Sequence, residues 1–228
     1  MHNTQNSDVS RPAGIGNGRA WRATIVVVLA ATTFAMYADG SAPQKQTFQI
    51  RGLGVFMTSF FLIDNCQGVN FVFNAAESVT KSGPGKGTDT SSISLFADLT
   101  NQCTNSEAFL NVSGQAIITG NVSTQVRVTG QVSGTEYDFS TGTSTPVSGT
   151  VDMILTPTDH AENTHSESTY GSRSYFQRIH SVGLSAPATP TGSIVVDGTD
   201  YLGAAIASGF DIYTTVNSMN SGNMIITK

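Results

Sequence analysis

The chain is short of charge. Asp, Glu, Lys and Arg make up 12% of its 228 residues, against a usual share of about 25%, which argues against a surface built from Glu- and Lys-rich helices. Lys and Arg form no cluster, so the sequence offers no electrostatic footprint for nucleic acid or for an anionic membrane surface. It also lacks the spacings that carry common chemistries. There is no G-x-S-x-G elbow and no helical H-E-x-x-H motif. The glycine-rich "KSGPGKGTDTSS" (Lys81 to Ser92) lacks the G-x-x-x-x-G-K-[ST] order of a phosphate loop and reads as a long hairpin loop. Enzymatic function is therefore not the expectation.

Nor is there an apolar run long enough for a transmembrane helix. The longest, Ala23 to Met36, has fourteen residues; as a helix it would rise about 21 Å, short of the roughly 30 Å hydrocarbon core. Preceded by Arg11, Arg19 and Arg22 and followed by the small residues of "YADGSA", it has the layout of a secretory signal. Residues 1–42 are expected to be a removed signal peptide, with an uncleaved anchor as the alternative, and residues 43–228 a single domain. That domain carries 8 basic and 14 acidic residues, a net charge of −6, and no further span. A secreted, periplasmic or cell-surface location follows.

Cysteine is nearly absent. Cys66 and Cys103 are the only two, both in the exported part, where a lone pair is most simply a disulfide. Closing its loop would contribute about 4 kcal/mol in the chain-entropy model.

What the chain has in quantity is alternation. Residues 48–63, "FQIRGLGVFMTSFFLI", read as a strand covered on both faces. Val69, Phe71 and Phe73 share one parity, as do Ile93, Leu95, Ala97 and Leu99, and then Val147, Gly149, Val151, Met153 and Leu155. Seven of the twelve phenylalanines (48, 56, 60, 61, 71, 73 and 96) lie early in the domain, which places the densest core there. Residues 157–169 have no apolar period and read as a polar loop; "SAPATPTG" reads as a proline-containing connector, and "YLGAAIAS" as a short helix or a buried strand. Strand signals about every ten residues point to an all-β fold, a single mainly antiparallel β-sandwich or β-barrel-like domain.

The clearest alternation is "NVSGQAIITGNVSTQVRVTGQVSG", residues 111–134. Even positions are apolar, glycine or, at Thr124, small, while odd positions are polar except Ile117, the pattern of a sheet wet on one side. Extended, 24 residues would span about 80 Å, so chain reversals are expected near Gly120 and Gly130. Parity survives both, which requires odd-length or bulged turns, with Ile118 near Val122 and Val128 near Val132. The seven residues Val122 to Val128 would then be too short for a membrane-barrel strand of about 9–11 residues, and no aromatic girdle is evident in this region.

Candidate sites are few. "DHAENTHSE" places His160, Glu162 and His165 close together, residue types that ligate zinc. Asn111 and Asn121 begin N-x-[ST] triplets and are potential glycosylation acceptors. Arg173 and Arg178, five apart on opposite parities, could bind an anion, but pairing with surface carboxylates is the expected role. No cofactor is implied. The expected function is a non-catalytic binding, adhesive or structural role at the cell surface, with a polar Ser/Thr/Asn/Gln face meeting a glycan or protein. The alternatives are a secreted metal-dependent hydrolase using residues 159–167 and a carrier that encloses an apolar ligand among the early phenylalanines.

Overall fold

The structure is a computed structural model and describes residues 45–82, 87–172 and 175–227; the signal segment read from residues 1–42 lies outside them. Ten strands and one helix follow in order: β1 (Lys45–Leu62), β2 (Gln67–Ser82), β3 (Thr88–Asn101), β4 (Ser106–Asn121), β5 (Gln125–Asp138), β6 (Thr143–Pro157), β7 (Glu162–Ser172), β8 (Tyr175–Val196), β9 (Thr199–Asp200), α1 (Tyr201–Ser208) and β10 (Ile212–Thr227). Strands β1 to β6 pair antiparallel with their sequence neighbours. Strand β8 pairs with β6 through residues 188–196 and with β7 through residues 175–185, so β7 continues β6 along the same edge beyond an irregular step at residues 158–161. Strand β10 pairs with β8 on one side and β1 on the other. The sheet thus closes into an antiparallel barrel of eight strands, with β6 and β7 counted as one.

An eight-stranded barrel has an interior just wide enough for side chains to fill. Here the inward parity of each strand fills it. Met57, Phe61, Phe71, Phe73, Leu95, Leu110, Met153, Leu155 and Ile194 are all less than 2% exposed. One end is plugged by α1, whose Tyr201, Leu202 and Ala205 join the same core. The "YLGAAIAS" segment is therefore the helix of its two readings. Asp200 caps it by accepting from the Gly203 amide at 3.0 Å, and Gly209 ends it with φ 70, the left-handed C-terminal geometry glycine permits.

Four hairpin turns share one device. Asp64, Asn101, Asn121 and Asp138 each end or follow a strand and accept, through side-chain Oδ1, from an amide two residues on; all but Asn121 take the next amide as well. Asx side chains mimic a turn's backbone acceptor in this way. The disulfide joins two of these turns: Cys66 and Cys103, with Cα atoms 5.3 Å apart, link the β1–β2 and β3–β4 connections.

The chain does reverse just after Gly120. Asn121 pairs with Gln125 around the three-residue loop Val122–Ser123–Thr124, an odd loop that preserves parity, and Gly120 has φ 113. It does not reverse at Gly130. Strand β5 runs straight through it, so Ile118 faces Val128 and Val128 faces Met153. Gly130 is there for space: a Cβ would collide with the Gln115 carbonyl and the tip of Ile93. Three other expectations change. Of the expected Lys81 to Ser92 loop, Lys81 and Ser82 belong to β2 and residues 88–92 to β3, while residues 83–86 lie outside the described ones. Residues 162–169, read as loop, belong to β7. The "SAPATPTG" connector lies within β8.

Strands of 14 residues or more remove the length argument against a membrane barrel. The outward face supplies a different one. On β4 and β5 it carries Asn111, Ser113, Gln115 and Thr119, then Gln125, Arg127, Thr129, Gln131 and Ser133, with Phe109, Ile117 and Tyr137 as its apolar members, a mostly polar middle where a lipid-facing barrel carries an apolar band. No helix among the described residues is long and apolar enough to cross a membrane.

Burial of Tyr201, and then the charges of Glu136 and Asp197, push its phenol up to about 12, above an unfolded value of about 10. Below pH 10 the group is neutral in both states and its contribution is intact. Between pH 10 and 12 the unfolded chain ionises while the folded one resists, so stability is lost as pH rises through that window. Urea unfolding should show wild type losing up to roughly 2–3 kcal/mol relative to Tyr201→Phe over this range; parallel pH profiles would contradict the assignment.

Candidate functional site

The structure separates the residues proposed as metal ligands. His160 stands almost fully exposed in the step between β6 and β7, its Nδ1 3.8 Å from Asp159 Oδ1. Glu162 and His165 both lie on β7, but three residues apart on a strand they point to opposite faces. His165 instead meets His180 of β8, ring centroids 4.7 Å apart. Among the described residues no three His, Cys, Asp or Glu side chains converge on a common point. Arg178 has its expected carboxylate: Nη2 donates to Glu167 Oε1 at 2.7 Å; Arg173 lies outside the described residues. Asn111 faces outward in mid-β4, whereas the Asn121 side chain is engaged in its own turn.

The early phenylalanines divide. Phe61, Phe71 and Phe73 fill the axis, while Phe60 is 51% and Phe96 38% exposed. Sequence parity carried this signal, because Phe96 has the opposite parity from Ile93, Leu95, Ala97 and Leu99. Of the rings expected to line a ligand cavity, Phe61, Phe71 and Phe73 are thus packed in the core and Phe60 and Phe96 are on the outside; the Phe48 side chain lies outside the described ones.

Phe96 belongs to a surface group assembled across three strands. It stacks on Phe109 of β4, centroids 6.4 Å apart and planes 25° apart. Phe109 lies directly opposite Tyr137 of β5, and Tyr137 meets Phe139 edge to face at 5.0 Å. No stretch of sequence announces this group, because register, not proximity along the chain, gathers it. Phe139 is carried on a firm turn. The Asp138 carboxylate accepts from the Ser140 amide at 2.7 Å and the Thr141 amide at 3.2 Å, and these bonds, Ser140 first, hold its pKa below the ordinary value.

Next to the rings runs a row of hydroxyls. Ser94, Ser113, Ser133 and Ser148 are register partners across β3, β4, β5 and β6, on strands about 4.8 Å apart. Amides and hydroxyls of Asn111, Thr135, Gln115, Gln131 and Thr150 flank it. The charges on this face are the exposed carboxylates Asp98, opposite Phe109, and Glu107, two residues before it on β4, and the Arg127–Asp152 ion pair at 3.0 Å. The surface is aromatic at one end and rich in neutral hydrogen-bonding groups.

At the end away from α1 the wall opens. Strand β4 pairs with β3 only as far as Gly114, and its last residues lean towards β2, where the Ile118 amide donates to Glu77 Oε2 at 3.1 Å. An open cleft of about 550 Å³ lies there, lined by Arg51, Leu53, Glu77, Val79, Val122 and Met219 among others. A second open cleft, about 480 Å³, surrounds Pro157, Asp159, His160 and Leu184.

Neither protein-family models, curated proteins nor solved structures match the chain. Fold and surface together define a closed, disulfide-bonded antiparallel β-barrel with a side-chain-filled axis.

Glu77 satisfies an amide that β3 no longer reaches. A hydrogen bond to a charged acceptor contributes about 1.5–3 kcal/mol. Glu77→Ala should therefore lower the unfolding free energy by roughly that amount and speed exchange of the Ile118 amide selectively; an unchanged Ile118 exchange rate would contradict this role.

Proposed function

We propose that this protein is an exported, non-catalytic barrel that binds a neutral glycan through the outer face of β3, β4 and β5. The observation that carries the reading is the group of Phe96, Phe109, Tyr137 and Phe139 beside the Ser94, Ser113, Ser133 and Ser148 row. Aromatic faces and edges offer apolar surface with specific geometry, which suits the C–H faces of sugar rings, while neutral hydroxyl and amide side chains suit their hydroxyls. Exposed aromatic groups of this kind also mark interaction surfaces more generally. The scarcity of charge favours an uncharged partner over an ionic one.

Export is supported by the arginine-preceded apolar segment before Met36 and by the disulfide, which an oxidising compartment allows. A binding role on the outer face, rather than a carrier role, is favoured because Phe61, Phe71, Phe73 and Met153 occupy the axis.

The test is binding of the purified chain to immobilised neutral polysaccharides. Phe96→Ala and Tyr137→Ala should each weaken retention about tenfold, the equivalent of losing roughly 1.4 kcal/mol of ring contact, with an unchanged β-type circular dichroism spectrum. Failure to retain any neutral glycan, or retention of both variants as strong as that of wild type, would overturn the reading.

A further inference from the structure

We propose that His165 and His180 form a two-histidine surface site for a divalent transition-metal ion of the zinc class, and that the bound ion fastens β7 to β8. The site differs from the cluster suggested by the sequence, because it draws its second imidazole from the neighbouring strand rather than from residue 160.

Register builds the pair. His165 is opposite Val182, and Glu167 is opposite His180, so the two histidines are diagonal neighbours on one face of the β7–β8 ladder. Diagonal residues across antiparallel strands lie within reach when their side chains are long or aromatic. Here the rings meet with centroids 4.7 Å apart and planes at 74°. Two metal–nitrogen bonds of about 2.0–2.1 Å require ligating nitrogens roughly 3 Å apart, a separation that rings so placed reach by turning about their side-chain torsions. Imidazole suits zinc, copper and nickel, whereas calcium and magnesium prefer oxygen.

The surroundings fit a modest, open site. Glu167, on the same face, keeps its carboxylate on Arg178 at 2.7 Å, so it lends negative charge nearby without reaching the rings. With no third His, Cys, Asp or Glu converging on the pair among the described residues, the remaining positions fall to water. The mechanical consequence is on β7. Apart from the half-buried Ser168, its described residues from Glu162 to Thr169 are exposed, so neither face of that stretch packs into the core. It pairs with β8 alone. A metal bridge would hold the strand with the least packing to support it.

The experiment is a zinc titration of the full chain, purified without a polyhistidine tag, followed by histidine ring NMR and by amide hydrogen exchange. The expected result is one equivalent bound in the micromolar range. The ring resonances of His165 and His180 should move while those of His160 stay, and exchange along β7 should slow. His165→Gln and His180→Gln should each weaken binding about tenfold or more, while His160→Gln leaves it unchanged and calcium has no effect. The proposal is overturned if zinc fails to bind at millimolar concentration, if both substitutions leave binding intact, or if binding depends on His160. Glycan retention by the zinc-free protein is read separately, so this inference and the proposed function can fail independently.

Discussion

Closure of the sheet is the constraint on which the rest of this structure depends. Because β10 is paired on both edges, with β1 through residues 45–59 and with β8 through residues 176–187, the barrel is sealed where its first and last strands meet. Closure removes the open edges that otherwise invite aggregation except along β7, which pairs with β8 alone among the described residues. Outside β7 it also assigns paired strand residues to an inside or an outside, and eight strands leave an inside that only packed side chains fill. The apolar parity, the plug formed by α1 and the inward glycines all follow from that geometry. Gly114, Gly130, Gly134 and Gly149 sit where a Cβ would collide with the backbone of the adjoining strand.

Much of this was legible in the sequence, and the failures have definite causes. Alternation in residues 111–134 identified the wet and dry faces, and preserved parity identified the odd loop after Gly120. The same argument failed at Gly130, because glycine serves a crowded interior as readily as a turn and sequence does not distinguish the two uses. Residues 162–169 looked like loop because a strand exposed on both faces has no apolar period; pairing with β8 makes it a strand nonetheless. Strand β8 tolerates Pro187 and Pro190 because of where its partners stop. The Pro187 carbonyl accepts from Thr158, in the step where the β6 ladder is already broken. By alternation Pro190 turns its missing donor to the other side, from which β10 has departed after residue 187.

The candidate sites were less legible, since register rather than sequence spacing assembles them. His160, Glu162 and His165 are neighbours in sequence, yet strand alternation separates Glu162 from His165, while His165 and His180, fifteen residues apart, come into ring contact. Phe96, Phe109, Tyr137 and Phe139 span three strands and become one surface only when β3, β4 and β5 are laid side by side. With the axis filled, the outside becomes the place where binding is proposed, and its neutral polar composition is the same feature that marked the chain from the start as poor in charge.

The account rests on closure, and closure is tested most directly by nuclear Overhauser contacts made by β10. Val216 faces Val55 on β1 and Ala186 on β8, so its backbone protons should show cross-strand contacts to both neighbours in the same sample, with slow amide exchange along residues 214–218. Contacts from Val216 to only one of the two strands would mean an open sheet, and the interior, the outer face and the sites argued from them would have to be rebuilt.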